Sequence, residues 1–252
     1  MQVSLNQQRI LVTGASRGIG AAIASQLSQA GANVLLHYHK NKIAAQRLKD
    51  NLPGDAALVP CDLSDLEAVK GWIPRLVDMY GRIDAIVNNA GIALSVPDDC
   101  PTDEWLAAWH QTININLNAL AIICKEFVEH ARTSKNGRII NISSRAAFRG
   151  DTPDYLAYAA SKSAIVGFTR SLARYYGKEG IKAFIVAPGF TRTDMAQDFM
   201  NQYGEDYALN DIALPHLTKP GDIAPMVTLL CSGLADHATG ATIDINAGSY
   251  VH

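Results

Sequence analysis

One short stretch near the start decides most of what this chain can become. Arg9-Ile-Leu-Val-Thr13 is an apolar run of strand length, and it breaks directly into Gly14-Ala-Ser-Arg-Gly18-Ile-Gly20. Apolar residues then recur at helical spacing, at Ile23, Leu27 and Ala30, until Gly31 stops them. Strand, glycine turn and helix form the first half of a parallel crossover, since parallel strands are joined through a helix. Further apolar runs follow at Asn33–Tyr38, Ala56–Pro60, Ile83–Val87, Arg138–Ser144, Lys182–Ala187 and Thr242–Asn246. Strands alternating with helices in this way predict an α/β chain, with a doubly wound parallel sheet of seven strands and helices on both faces. No linker, repeat or low-complexity tract divides residues 1–252, so a single domain is expected.

A hydrophobic content of 48% supplies the core that such a sheet needs. The net charge of −2 provides no basic field for nucleic acid or an anionic membrane. No run of eighteen apolar residues predicts a spanning helix, and the first residues lack a basic region followed by an apolar one. A cytoplasmic protein is expected. Cys61, Cys100, Cys124 and Cys231 are far apart and read as isolated thiols. The seven histidines have no metal-ligand spacing, and His37 and His39 read as a half-exposed strand face.

Glycines between a strand and a helix suit a dinucleotide. The helix N-terminus attracts a pyrophosphate, and residues without side chains let the backbone approach it. The spacing here is Gly-x3-Gly-x-Gly. In such folds the end of the second strand reads the adenosine ribose, and a carboxylate there favours NAD. This chain has Tyr38, His39 and Lys40 instead, with Arg17 in the glycine loop, so a 2′-phosphate meets cations and no repulsion. Asp62 ends the third strand, where it either accepts from the adenine amino group or holds the turn. Ser64 is expected to cap a helix running to Tyr80, and Thr102 a later one. Asn88-Asn-Ala-Gly91 is expected to hold backbone near a cofactor while cross-linking strands. Asn114 and Asn116 sit inside a helical run, where asparagine is unfavourable and needs a reason. Residues 194–217, polar, aromatic and irregular, read as a mobile flap over a pocket.

Tyr158 and Lys162 are four apart at the start of an apolar-periodic helix, so their side chains stand side by side. An ammonium near a phenol favours the phenolate and is expected to lower its pKa, which makes Tyr158 a candidate acid/base. The pattern alone is weak, because Tyr38 and Lys42 repeat it. Its company is stronger, since the strand before it ends in Ser143-Ser144, whose hydroxyls can bond the oxygen that the phenol protonates.

Taken together, Thr13–Gly20, Asn88–Gly91, Asn116, Ser144, Tyr158-x3-Lys162 and Pro188-Gly189 resemble the short-chain dehydrogenase/reductase family. Within it, the chain is most similar to the 3-oxoacyl-[acyl-carrier-protein] reductases of fatty acid biosynthesis. The resemblance implies a Rossmann-type sheet and an oxidoreductase using NADPH, with Tyr158 as acid/base. Lys162 would lower the Tyr158 pKa and bind the nicotinamide ribose. Ser144, rather than Ser143, would orient the carbonyl, and Asn116 would hold a water behind Lys162. Cofactor contacts would come from Gly14, Ser16, Arg17, Gly18, Ile19, Gly20, Tyr38, Asp62, Leu63, Asn89, Ala90 and Gly91. Pro188 and Gly189 would lie along the nicotinamide, with Thr191 or Thr193 near its amide or phosphates. A homotetramer and an acyl-thioester substrate, carried by acyl carrier protein, would follow. The spacing from Ser144 to Tyr158 is one residue longer than the family's and is expected to bulge a surface loop at residues 150–154. Lys135 fits a basic carrier-docking entrance, and Glu179 departs from it. Two rival readings are an NAD-linked alcohol or steroid dehydrogenase and a non-catalytic nucleotide sensor.

Overall fold

The computed structural model describes residues 3–97, 99–193 and 209–251. Its strands are β1 (Arg9–Val12), β2 (Asn33–Tyr38), β3 (Ala56–Pro60), β4 (Ala85–Asn88), β5 (Gly137–Ile142), β6 (Ile181–Pro188) and β7 (Thr242–Ile245). They form one parallel sheet in the order β3-β2-β1-β4-β5-β6-β7. The order reverses between β1 and β4, and a crevice opens beyond the carboxyl ends of strands at such a point.

Alternation along each strand splits the core in two. Leu11, Leu35, Ile86 and Ile139 point to one face, and Ile10, Val12, Val34, Val87 and Ile140 to the other. Both faces are dry, as a parallel sheet requires. The first is covered by α4 (Trp72–Tyr80), α6 (Ala119–Ala131) and α8 (Leu156–Tyr176) through Ile73, Leu76, Phe127 and Leu172. The second is covered by α1 (Gly18–Gln29) and α9 (Pro220–Ser232) through Ile23, Leu27, Val227 and Leu230. Each of these side chains is worth about 1.5–3 kcal/mol on burial.

Two predicted caps move. The cap after β3 is Asp65, whose carboxylate accepts from Glu67 N and Ala68 N at 3.0 and 3.2 Å, because Ser64 is already turned onto Asp62. The helix there is also interrupted. α3 (Leu66–Val69) stops, and Gly71, at φ +70°, starts α4 afresh. Thr102 is the first residue inside α5 (Thr102–Ile113), preceded by Pro101.

The misplaced asparagines have a structural reason. Between α5 and α6 the chain widens into a π-helical turn at Asn114–Asn118. Asn118 donates to Asn114 Oδ1 at 2.8 Å, and Asn116 is buried. π-Turns of this kind recur at functional sites.

The remaining helices are α2 (Lys42–Asp50) and α7 (Ala146–Arg149). Of the expected flap, residues 194–208 lie outside the described residues. From Leu209 onward the chain packs around buried Leu217, with Phe190 and Ile212 against it.

Candidate active site

A cavity of about 1030 Å³ opens at the carboxyl ends of β1, β2, β4, β5 and β6, as the strand order anticipates. Of the residues predicted for the site, all but Gly20 and Asn116 line it, and those two stand directly behind its wall.

The floor is backbone held by buried neutral groups. Gly14 (φ +65°) and Gly18 (φ +55°) take left-handed conformations that favour glycine. Gly20 packs so closely that a Cβ would stand 2.3 Å from Gly14 O and 2.5 Å from Asn89 Nδ2. Asn89 donates to Thr13 O and Gly14 O, and Thr13 Oγ1 accepts from Asn89 N and Ala90 N at 3.0 Å. One step back, Asn88 Nδ2 donates to Asn141 Oδ1 and Asn141 Nδ2 to Thr169 Oγ1, each at 2.8 Å. The expected cross-linking of strands by the Asn88–Gly91 segment is therefore present. α1 begins at Arg17 in extended backbone with no capping side chain, so its first N–H groups open toward the cavity.

His37 overturns the half-exposed reading. It is 3% exposed and ties this floor to its neighbour strand. Nδ1 accepts from Gly14 N at 2.9 Å, while Nε2 donates to Cys61 O at 3.0 Å. Burial pulls its pKa down to about 4, so the ring is neutral and its tautomer is set by these two partners. Its period-2 partner His39 is half-exposed instead, 3.3 Å from Asp62 Oδ2. Asp62 Oδ1 takes both Ser64 N and Ser64 Oγ, so the turn-holding role is occupied.

The opposite wall carries the predicted chemistry. Ser143 and Ser144 follow β5, and Tyr158 and Lys162 project from the first turns of α8. Lys162 is 5% exposed, and its Nζ donates to Ile142 O at 2.9 Å. Burial lowers its pKa to about 8. Asn116 accepts from Ile92 N and donates to Ile92 O and Ser161 Oγ, which pins the chain after β4 to α8. A Cβ on Gly91 would come 3.2 Å from Asn116 Oδ1 and 3.5 Å from Lys162 Nζ. Glycine therefore keeps the space above the ammonium open.

The expected depression of the Tyr158 pKa is opposed here by burial. Burial pushes the phenol up and the Asp151 charge adds to it, while the hydrogen bond with Ser144 and the Arg145 charge pull it back. Lys162 Nζ stands 5.6 Å from the ring centroid and gives one of its three N–H donors to Ile142 O, which leaves two toward the cavity.

The sequence model of the family described as Enoyl-(Acyl carrier protein) reductase matches residues 14–250. The chain belongs to the short-chain dehydrogenase/reductase family. It is thereby an NAD(P)-dependent oxidoreductase, 3-oxoacyl-[acyl-carrier-protein] reductase-like in sequence. The 3-oxoacyl-[acyl-carrier-protein] reductase FabG of Staphylococcus aureus is 34% identical over 96% of this chain and 97% of its own. A short chain dehydrogenase from Burkholderia cenocepacia in complex with NADP superposes with a TM-score of 0.87 at 33% identity, covering 97% of this chain and 98% of that one. A 3-oxoacyl (acyl-carrier-protein) reductase from Agrobacterium tumefaciens with NADP bound gives 0.89 at 27% identity, over 97% and 95%.

Two expectations drawn from the short-chain dehydrogenase/reductase resemblance can be placed on the fold, and the second needs correction. The longer spacing before Tyr158 makes a loop exposed at Gly150, Asp151 and Pro153, and its Gly150, Asp151 and Thr152 also line the cavity. Gly150, at φ +80°, ends α7. Lys135 precedes β5 at its amino end, whereas the cavity lies at the carboxyl ends, roughly 20 Å away across a six-residue strand. Glu179 is on that far edge too, paired with Arg132 at 2.6 Å.

Sequence reasoning also missed Arg145 and Arg149, which line the cavity and pair with Asp211. Two arginines four apart immediately after Ser144 were a readable signal. Their acidic partner, more than sixty residues further on, was not.

Proposed function

We propose that this protein reduces a ketone to a secondary alcohol with NADPH, with Tyr158 donating the proton to the carbonyl oxygen. The observation that carries this reading is the convergence of Ser144, Tyr158 and Lys162 on the cavity that the glycine loop floors. The residues present fit a dinucleotide. Gly14, Gly18 and Gly91 clear space along the wall, and the open end of α1 offers N–H groups to a pyrophosphate. When bound, NADPH supplies the hydride. Ser144 holds the carbonyl oxygen by hydrogen bonding, Tyr158 protonates it, and Lys162 offers its ammonium to the ribose beside Gly91. A phenol pushed above its usual pKa stays protonated at neutral pH. That suits the donor role in reduction better than the acceptor role in alcohol oxidation.

NADPH rather than NADH follows from the end of β2, where Tyr38, His39 and Lys40 line the cavity with Arg17 and supply no carboxylate. The relatives holding NADP support the same choice. A pure nucleotide sensor has no use for Ser144, Tyr158 and Lys162 in one wall, so turnover is the better reading. Delivery by acyl carrier protein is supported by the named relatives. It is weakened by the remoteness of Lys135 from the mouth.

A cytoplasmic homotetramer acting as a single domain completes the reading. No helix among the described residues is long and apolar enough to cross a membrane. α5 and α8 leave Trp105, Trp109 and Phe168 half-buried, and Leu156 is 49% exposed. A partner subunit would cover these residues. Light scattering should give four times the 27.1 kDa chain mass, and an active monomer at micromolar concentration would remove that part. The central test is oxidation of NADPH and NADH against a panel of 3-oxoacyl thioesters and simple ketones. Turnover of one or more ketones with NADPH preferred is expected; none with any ketone overturns the reading.

A further inference from the structure

At the substrate end, two guanidiniums converge on one carboxylate oxygen. Arg145 stands at the start of α7 and Arg149 at its end, four residues apart and so on one helix face. Both line the cavity, and Nη1 of each reaches Asp211 Oδ2, at 2.5 and 2.6 Å. The Arg145 side chain is 17% exposed and those of Asp211 and Arg149 are 32% and 36%, so this is a recess open to the cavity mouth and buried at its inner arginine. Its position relative to Ser144 is fixed, since Arg145 N donates to Pro188 O at 3.0 Å and Ala146 N to Ser144 Oγ at 3.1 Å. Asp151 lines the same cavity. With Asp211 in place, two cations face two carboxylates. With Asp211 withdrawn, the recess holds one positive charge in excess, which a single external carboxylate or phosphate neutralises. The planar fork of arginine matches both groups.

We propose that Arg145 and Arg149 read an anionic group on the ketone substrate, and that Asp211 is the internal anion which exchanges with it. The proposal deepens the ketoreductase reading and rests on it. It names the substrate class as small ketones carrying their own carboxylate or phosphate, in preference to a neutral 3-oxoacyl thioester. A partly buried recess selects a small anion over the acidic surface of a carrier protein.

The test uses the full-length enzyme with NADPH and two matched pairs: 4-oxopentanoate against its methyl ester, and dihydroxyacetone phosphate against dihydroxyacetone. The charged member of at least one pair should have the higher kcat/KM, and which pair responds tells carboxylate from phosphate. Arg149→Ala should cut the charged-to-neutral ratio by about 10- to 100-fold, the worth of a charge-assisted hydrogen bond, with Arg149→Lys recovering part of it. Asp211→Asn should raise that ratio by lowering KM for the charged ketone. A latch that merely holds the 209–218 segment would make Asp211→Asn and Arg149→Ala lose both members alike, and that result overturns the proposal. So does a wild-type ratio at or below one in both pairs, or a loss in Arg149→Ala confined to a carrier-bound thioester. Failure of every ketone, neutral ones included, removes the ketoreductase reading itself. Turnover of neutral ketones without any charge effect removes only this inference.

Discussion

The two ends of the cavity are built on opposite principles. At the cofactor end, the chain after β1 is held by neutral, buried groups: His37 on Gly14, Asn89 on Thr13 and Gly14, and Thr13 on Asn89 and Ala90. At the substrate end, α7 and the 209–218 segment are joined by charged side chains that keep about a third or less of their surface in solvent. Neutral buried bonds gain little from any one partner but leave an unsatisfied backbone group when broken, which fixes the shape. Half-exposed ion pairs are worth up to about 1 kcal/mol, are screened by salt, and can be exchanged. A fixed floor suits a ligand shared by many enzymes, and an exchangeable wall suits the substrate that distinguishes them.

The largest effect that should separate the ends is Tyr158→Phe. It removes the proton donor and little volume. Turnover should fall about 10²–10⁴-fold, the usual worth of a positioned acid. NADPH affinity, measured by fluorescence titration, should stay within about threefold. A variant with full activity would refute the acid role. One that also lost NADPH would mean that the two ends are not separable.

The cofactor end should break in acid. His37 has a pKa of about 4 folded, against ~6.5 unfolded. Between those values the unfolded chain binds the additional proton, so stability rises with pH across the window. It is lost as pH falls from about 6.5 through about 4, by roughly 2–4 kcal/mol in all. The proton would sit on Nδ1 and face the Gly14 N–H donor, so the floor should loosen with it. Urea denaturation at pH 6.5 and pH 4.5 should give a smaller difference for His37→Gln than for the parent. Identical slopes would mean that another group controls acid unfolding.

The same contrast explains what could be read from the chain. The sheet, the glycine turn and the Tyr158–Lys162 pair were legible because each depends on local spacing. A strand needs period two, a turn needs glycine at φ > 0, and a helix pairs residues four apart. Caps slipped by one residue at Ser64 and Thr102, because serine, threonine and aspartate compete for the same task and tertiary contacts choose among them. His37 misled because period two gives opposite faces, not exposure, and both faces of this sheet are covered. The Arg145–Asp211–Arg149 cluster depends on a fold-level meeting that no local pattern encodes. The phenol pKa was misjudged for a related reason. Spacing placed Lys162 next to Tyr158 but could not say how deeply the phenol would be buried, and burial is what pushes it up.

The smallest effect concerns the cations at the adenosine side of the cofactor end. Arg17 opens α1, and with Lys40 it lines the part of the cavity next to Tyr38. No carboxylate ends β2, and Asp62 at the end of β3 is turned onto Ser64 and His39. If Arg17 bonds a 2′-phosphate there, Arg17→Ala should weaken NADPH by about 2 kcal/mol, the scale of one charge-assisted bond, and leave NADH nearly unchanged. Its effect should shrink as salt is raised, because the guanidinium lies near solvent. Equal weakening of both cofactors would assign Arg17 to shaping the loop alone. Tyr38→Asp approaches the same question from the other side. A carboxylate at the end of β2 accepts from the ribose 2′-hydroxyl and repels a phosphate, so the preference should move toward NADH. The two substitutions, compared by competitive titration of both cofactors, decide whether the floor is only a shape or also reads charge.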